Sequence, residues 1–199
     1  MFVTFEGPEG AGKSTVLATV AEALRASGRE VLTTREPGSG RLGQGIRELL
    51  LHGGEMPAES ELFLFLADRS NHVRTIVRPA LERGEIVLCD RFADSTLVYQ
   101  ALARGLDEAF IREANAFATG GLKPDVTFLL DLAPEIGLSR LESKDRLDAE
   151  PLEFHRRVRE GFLAEASRDP ARWRILEASQ PAKEVAERVL AELRTRGLT

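Results

Sequence analysis

The stretch FEGPEGAGKST, residues 5–15, follows an apolar run and precedes a helix-like segment. It contains the pattern G-x-x-x-x-G-K-[ST] and comprises, after its first two residues, Gly7, Pro8, Glu9, Gly10, Ala11, Gly12, Lys13, Ser14 and Thr15. In such a loop, glycines let backbone N–H groups surround a phosphate, the lysine bridges β- and γ-phosphates, and the serine hydroxyl ligates Mg²⁺. The pattern therefore predicts an ATP site between a first strand and a first helix. A tight turn without a ligand is the alternative, and the flanking strand and helix patterns disfavour it.

Short apolar and β-branched runs alternate with longer amphipathic stretches along the rest of the chain. The predicted strands are MFVTFE, REVLTTRE, EIVLCD, DVTFLLDL and RWRILEA. This alternation is typical of βαβ units and predicts an α/β fold with a parallel sheet covered by helices on both faces. Because no repeat or linker divides the 199 residues, one domain over residues 1–199 is expected.

Composition limits the partners and the compartment. A net charge of -5 gives no general attraction to nucleic acid or to anionic membranes, so neither is expected as a partner, and clustered arginines must meet any anionic substrate. The single cysteine, Cys89, lies in an apolar run, excludes a disulfide framework and fits a reducing cytoplasm. No run of about 18 apolar residues and no signal-peptide pattern is found, so a cytoplasmic protein is expected.

A phosphate-binding loop occurs in kinases, GTPases, motors and regulatory ATPases, so the rest of the chain must distinguish among them. A GTPase should carry a D-x-x-G switch after a strand and an N-K-x-D base reader. The chain has neither, since Asp131 is followed by Leu132, Ala133 and Pro134. The GTPase interpretation is therefore disfavoured. If the protein is a kinase, the residues that bind the phosphoryl acceptor must lie elsewhere in the sequence.

Two polar clusters follow predicted strands, near the edge where open α/β sheets bind ligands. Glu36 and Pro37 end the second strand, and Arg47 follows in the next helix pattern. Phe65 and Arg69 lie four residues apart on one helical face, where a ring for stacking and a guanidinium for hydrogen bonding could read a base. Core packing is the stronger interpretation of Phe65 by itself, but a charge on that inward face needs a partner, so Arg69 favours the base-reading one.

A third cluster begins where the third predicted strand ends. Asp90 closes the strand, and Arg91, Ser95 and Tyr99 recur at every fourth residue of the next helix pattern. A carboxylate near Mg²⁺, a cation for a phosphate, a hydroxyl and a ring would then face one cleft. A helix-capping aspartate followed by a surface arginine is the alternative.

The order and spacing of these blocks resemble those of thymidylate kinases of the bacterial type. The resemblance covers nearly the whole chain and includes FEGPEGAGKST, TREPG, LFLADR, ALERGEIVLCDRF and GLKPDVTFLLDL. It implies the P-loop nucleoside-monophosphate-kinase fold, with a five-stranded parallel sheet flanked by helices and a short lid at about residues 138–150. It also implies transfer of the γ-phosphoryl group of ATP to dTMP, giving dTDP, with Mg²⁺ held near Ser14 and Asp90, and a homodimer formed through helices near the acceptor site.

The same resemblance implies a role for individual side chains. Phe65 would stack on thymine, Arg69 would hydrogen-bond its edge, and Arg47 and Arg91 would hold the dTMP phosphate. Glu9 would face the acceptor sugar and phosphate rather than ATP. The remaining acceptor contacts would come from Glu36, Pro37, Ser95, Thr96, Tyr99 and Gln100.

The resemblance also predicts where the catalytic cations lie. Family members with an arginine inside the phosphate-binding loop catalyse from there, and the others use basic lid residues. This loop carries Gly10 at that position, so Arg140, Lys144 or Arg146 should act, with Arg146 favoured because it lies in the family block DRLD. The expected catalytic set is Lys13, Arg91, Arg146 and Glu9, and Arg140 is also assigned to ATP. A solvated surface arginine is the alternative for Arg146.

Some features leave room for other functions. Phe92 stands where the family often has tyrosine, Ser39 and Gly40 replace Gly-Thr, and the lid is shorter than usual. A kinase for another nucleotide or a deoxynucleoside is one alternative, and a non-catalytic nucleotide-binding regulator is another. The joint presence of the phosphate-loop lysine and serine with Asp90 and Arg91 argues against the regulator.

Overall fold

The structure, a computed structural model, describes residues 1–197, so the last two residues of the predicted domain 1–199 lie outside the described residues. Its centre is one sheet of five parallel strands in the order β2-β3-β1-β4-β5. The strands are β1 (Phe2–Glu6), β2 (Val31–Arg35), β3 (Ile86–Asp90), β4 (Val126–Asp131) and β5 (Trp173–Glu177). The five predicted strands and the parallel α/β arrangement are confirmed.

Helices cover both faces of this sheet. The α-helices are α1 (Lys13–Ala26), α2 (Gly40–His52), α3 (Ala58–His72), α4 (Arg78–Glu82), α5 (Ala93–Thr96), α6 (Glu108–Thr119), α7 (Pro134–Ser139), α8 (Leu152–Arg168) and α9 (Ala182–Thr195). Two π-helical segments, Val73–Val77 and Leu97–Ala103, continue α3 and α5. None of the helices within the described residues has the length and apolar character that crossing a bilayer requires.

The central strands are apolar because both of their faces are buried. Every residue of β1 is buried, and Phe5 contacts the ring of Phe128 on β4 at 5.7 Å between centroids. This face packs against α1 and α9, whereas Phe2 and Cys89 point to the opposite face, where they pack near Phe92. Cys89 is a buried free thiol, as its apolar run predicts.

The sheet register brings the phosphate-binding loop and the third strand together. Phe5 of β1 lies opposite Asp90 of β3, so residues that follow both strands share the carboxyl edge of the sheet. Arg91 has φ of 65°, a left-handed conformation that costs a non-glycine residue about 1 kcal/mol. Its backbone N–H donates to the Phe5 carbonyl at 2.9 Å, which holds this turn in place.

The predicted lid, about residues 138–150, comprises the end of α7 and part of an irregular connection to α8. The connection packs across the sheet edge onto α2, where the backbone N–H of Arg146 donates to the Leu51 carbonyl at 3.3 Å. Leu147 packs with Ile46 and Leu50. The role of residues 138–150 as a lid stays a prediction.

Candidate active site

Lys13 is held inside the phosphate-binding loop. As the first residue of α1 it is 8% exposed, and its ammonium donates to the carbonyls of Gly7 at 3.0 Å and Pro8 at 2.8 Å. Burial, followed by the charge of Arg91, lowers the pKa of Lys13 from 10.5 to about 8. The loop therefore presents a desolvated cation, which a polyphosphate would stabilise in its charged form.

The loop packs directly on the backbone of α7. Gly10 has φ of 67°, and a Cβ added there would lie 2.0 Å from the Gly137 carbonyl oxygen. A Cβ on Gly137 would in turn lie 2.1 Å from the Glu9 carbonyl oxygen. No side chain fits at position 10, so this loop cannot supply its own arginine there.

Ser14 and Asp90 form a small oxygen-rich group beside Lys13. The Ser14 hydroxyl donates to Asp90 Oδ2 at 2.5 Å. Within residues 1–197 no group of three or more His, Cys, Asp or Glu side chains could hold a metal by itself. One hydroxyl and one carboxylate nevertheless suit Mg²⁺, which retains water and takes its remaining ligands from substrate phosphates.

A cavity of about 300 Å³ opens next to this group. All eleven residues predicted for the acceptor site line it: Glu9, Glu36, Pro37, Arg47, Phe65, Arg69, Arg91, Ser95, Thr96, Tyr99 and Gln100. Gly10, Lys13, Ser14 and Asp90 line its other end. The fold thus brings four separate sequence blocks into one cleft.

Arg69 lies at the wall of this cavity, where its charge has the partner that its inward position requires. It is 1% exposed, and Nε and Nη2 lie 2.8 and 2.7 Å from Glu36 Oε2. Nη1 donates to Thr96 Oγ1 at 2.8 Å and Asn115 Oδ1 at 2.7 Å, and Nη2 donates to the Phe92 carbonyl at 3.0 Å. Since each of the three guanidinium nitrogens already donates to a protein acceptor, a bound base must share one of these donors. The sequence interpretation missed Asn115, because it lies on α6, outside the blocks.

The contacts of Glu9 explain how an acidic residue can lie inside a phosphate-binding loop. Its carboxylate accepts hydrogen bonds from Arg91 Nη2 at 3.1 Å and from the Tyr99 hydroxyl, and it lies 3.3 Å from His155 Nδ1. Burial alone would raise its pKa, but the His155 hydrogen bond and the charges of Arg91 and Lys13 lower the pKa of Glu9 to about 2. The carboxylate stays ionised and points toward the cavity.

Two buried groups of this network were missed by the sequence interpretation. His155 is 1% exposed on α8. Burial lowers its pKa, but the hydrogen bond and charge of Glu9, together with Asp148, raise the pKa of His155 above its ordinary value. Glu6 ends β1 and accepts from the Phe92 N–H at 2.8 Å and the Ser95 hydroxyl at 2.5 Å. Burial and the charge of Asp94 raise the pKa of Glu6 to about 7. A carboxylate ending an otherwise apolar strand was the available signal for Glu6, whereas His155 had none.

The residues predicted to read the base, Phe65, Arg69 and Gln100, combine core packing with contact to the cavity. Phe65 packs with Ile46, Leu50 and Leu51, so the core-packing interpretation and the cavity-lining one both apply to it. Gln100 is fully buried, and its Nε2 donates to Glu61 Oε1 at 2.8 Å. Its Oε1 has no hydrogen-bond partner among residues 1–197.

The cationic residues divide between the cavity and the lid. Arg47 lines the cavity and donates to the Pro37 carbonyl at 3.0 Å, and burial and the charge of Arg35 lower its pKa. Arg140 lies outside the cavity, with Nη1 at 3.3 Å from the Gly10 carbonyl oxygen.

The structure does not bring Arg146 to the cavity. Its Nε donates to the Leu50 carbonyl at 2.9 Å, and its Nη2 donates to Glu61 Oε2 at 2.5 Å. Lys144 is exposed. The catalytic role of Arg146 stays a prediction that requires its guanidinium to leave Glu61.

Comparisons with known proteins agree with this geometry. The family model described as "Thymidylate kinase" matches residues 5–189. A thymidylate kinase from Thermomicrobium roseum is 54% identical over 194 residues, covering 96% of this chain and 92% of that protein. One from Desulfovibrio desulfuricans is 49% identical, covering 99% and 98%. The crystal structure of thymidylate kinase from Ehrlichia chaffeensis superposes with a TM-score of 0.81 at 34% identity, covering 97% of this chain and 98% of that one.

Proposed function

Because this chain belongs to the thymidylate kinase family and phosphorylates dTMP to dTDP with ATP, we propose which of its residues perform that transfer. ATP binds the phosphate-binding loop, residues 7–15, with Arg140 beside it, and dTMP binds the 300 Å³ cavity. The observation that carries this proposal is the convergence of all eleven predicted acceptor residues on one cleft whose other end is formed by Lys13 and Ser14.

Within the cavity, dTMP lies with its base on Phe65 and its phosphate near the loop. Arg69 and Gln100 meet the edge of the base, and Arg47 and Arg91 hold the phosphate. Support comes from the burial of Arg69 and Gln100, which suits hydrogen bonding in a dry site, and from the nearness of Arg91 to the loop. Its Nη1 lies 3.1 Å from the Gly7 carbonyl oxygen.

Glu9 and its hydrogen-bond partners line the part of the cavity that would hold the sugar and the phosphate of dTMP. Tyr99 packs at the sugar, where a ribonucleotide would carry its 2′-hydroxyl, and Glu9 faces the sugar and phosphate. The bonds from Arg91, Tyr99 and His155 hold this carboxylate ionised, so it orients Arg91 without itself binding the ATP phosphates. Ser95 and Thr96 complete the contacts, since Ser95 hydrogen-bonds Arg91 and Thr96 hydrogen-bonds Arg69.

Ser14 and Asp90 would hold Mg²⁺ together with the ATP phosphates. When bound there with ATP, the ion would neutralise part of the charge of the ATP phosphates. The 2.5 Å Ser14 to Asp90 contact supports this assignment, because a hydroxyl and a carboxylate that close can serve one cation.

The chain's own contribution to the transfer is positioning and charge. A phosphate oxygen of dTMP attacks the γ-phosphorus, the bond from that phosphorus to the β-γ bridging oxygen breaks, and ADP leaves with that electron pair. Lys13 and Arg91 flank the line between donor and acceptor. Since no side chain fits at Gly10, a lid residue adds the third cation, and Arg146 is the proposed one, with Arg140 and Lys144 as alternatives.

An assay of ADP release tests the proposal. Release should require both dTMP and Mg²⁺ and should be lost in Lys13→Met. Thymidine, AMP, dCMP and dUMP serve as competing acceptors. Faster release with any of these than with dTMP would reassign the cavity to another nucleotide or deoxynucleoside, and no release with any acceptor would favour the non-catalytic regulator.

A homodimer is proposed for the assembly. Helices α2, α3 and α6 pack side by side, and each exposes large apolar side chains: Leu49 at 53%, Phe63 at 58%, Phe110 at 48% and Phe117 at 81%. A second copy of the chain would cover them. Light scattering should give twice the mass of the chain, and Phe117→Ser should shift it toward the monomer. A cytoplasmic location is also proposed, supported by the single, buried, free thiol of Cys89.

A further inference from the structure

Glu61 is a buried carboxylate on α3 that the transfer mechanism does not use. It is 1% exposed and accepts four hydrogen bonds. Oε1 accepts from Gln100 Nε2 at 2.8 Å and Arg104 Nε at 2.7 Å, and Oε2 accepts from Arg104 Nη2 at 3.0 Å and Arg146 Nη2 at 2.5 Å. Its partners therefore come from the π-helical segment Leu97–Ala103, from Arg104 directly after it, and from the predicted lid.

This carboxylate is held ionised. Burial by itself would raise its pKa, but hydrogen bonds from Arg104, Gln100 and Arg146 lower the pKa of Glu61 below its ordinary value. Glu150 pairs with Arg104 at 2.9 Å, so two carboxylates face two guanidinium groups and the charges balance. An ionised carboxylate only accepts hydrogen bonds.

That property decides the orientation of the Gln100 amide. Gln100 must turn its NH₂ group toward Glu61, because the flipped amide would place Oε1 against a carboxylate oxygen. Its Oε1 then has no partner among the described residues, although Gln100 lies in the wall of the cavity beside Phe65 and Arg69. A buried acceptor without a donor is costly, so a bound base that supplies an N–H is favoured.

We propose that Glu61 is a positioning residue for base selection: it holds the Gln100 amide so that Oε1 accepts the N3–H of thymine or uracil and repels cytosine, whose N3 is itself an acceptor. The inference rests on the acceptor site proposed above. It adds that selection against cytosine depends on a carboxylate that does not touch the base.

The test is the ratio of kcat/KM for dTMP to that for dCMP in Glu61→Gln. A glutamine at position 61 can donate as well as accept, so Gln100 is free to flip, and the ratio should fall by about tenfold or more. Any effect of the freed lid on phosphoryl transfer acts on both substrates and cancels in the ratio. Glu165→Gln is the matched control, since Glu165 is 4% exposed and held by Arg112 and Arg168 away from this cavity. Its ratio should stay within about twofold of the parent.

A double-mutant cycle separates positioning from a merely structural role. Gln100→Leu should itself lower the ratio, and adding Glu61→Gln should then change it no further. The inference would be overturned if Glu61→Gln lowered the ratio equally in the parent and in Gln100→Leu. It would also be overturned if a folded Glu61→Gln variant kept the ratio of the parent. If Gln100→Leu leaves the ratio unchanged, the proposed base site fails along with the inference.

A measurement on the unmodified protein does not require Glu61→Gln to fold. The side-chain NH₂ resonances of Gln100, assigned from their loss in Gln100→Leu, should include one proton shifted downfield and protected from exchange by the Glu61 carboxylate. Saturating dTMP should leave that proton protected. Fast exchange of both protons in the free protein would contradict the proposed orientation.

Discussion

Replacing dTMP by dCMP tests the base-reading face without altering the protein. Cytosine has an amino group where thymine has O4, and an N3 lone pair where thymine has N3–H. The amino group would face Arg69, which has only donors, and the lone pair would face the buried Oε1 of Gln100. Each mismatch leaves buried polar groups unpaired at about 1–3 kcal/mol. Two mismatches, at about 2–6 kcal/mol together, correspond to a loss of roughly 30-fold to 10⁴-fold in kcat/KM.

The assay is ADP release with dTMP, dUMP and dCMP under identical conditions. Uracil keeps O4 and N3–H and lacks only the methyl group, which is worth about 0.8 kcal/mol, so dUMP should be about fourfold poorer than dTMP. It serves as the control that the site accepts a pyrimidine without the methyl. Equal kcat/KM for dCMP and dTMP would refute the reasoning from Arg69 and Gln100.

Three further predictions concern the phosphoryl-transfer end of the site. Lys13→Met should abolish ADP release while leaving the thermal unfolding temperature close to that of the parent, because the hydrogen bonds that the Lys13 ammonium donates go to carbonyls of the loop. Activity within about tenfold of the parent would contradict its role. Burial lowers the pKa of Lys13 to about 8, so the ammonium loses its proton above that pH. The Kd for ATP measured by calorimetry should therefore rise about tenfold from pH 7 to pH 9. A Kd that does not change with pH would show that the lysine stays charged. Arg146→Ala should lower kcat by at least about a hundredfold with little change in the KM for dTMP. If Arg140→Ala or Lys144→Ala lowers kcat instead, another lid residue is the catalytic cation. If none of the three substitutions lowers kcat, the lid mechanism is wrong.

The sequence by itself determined the strands and the phosphate-binding loop, and it predicted the set of acceptor residues that the structure places around one cavity. These features are local: a buried parallel strand is a short apolar run, and the loop is one contiguous pattern. Most of the predicted acceptor residues follow strands β1, β2 and β3 or lie one turn apart on α3, and Arg47 lies on α2, the helix after β2. Their convergence on one cleft follows from the parallel sheet, whose strands end at the same edge. The match to thymidylate kinase blocks then added the substrate.

Tertiary structure alone decided which partners these side chains have. Arg146 is 85 residues from Glu61, and His155 is 146 residues from Glu9, so no spacing rule connects them. The absence of a loop arginine was visible in the sequence, but its cause, the contact of Gly10 with Gly137, was not. Buried polar groups must find partners wherever packing places them. For the Arg146 guanidinium, packing meets that requirement at the Leu50 carbonyl and at Glu61, rather than in the cavity in which the sequence predicts that it acts.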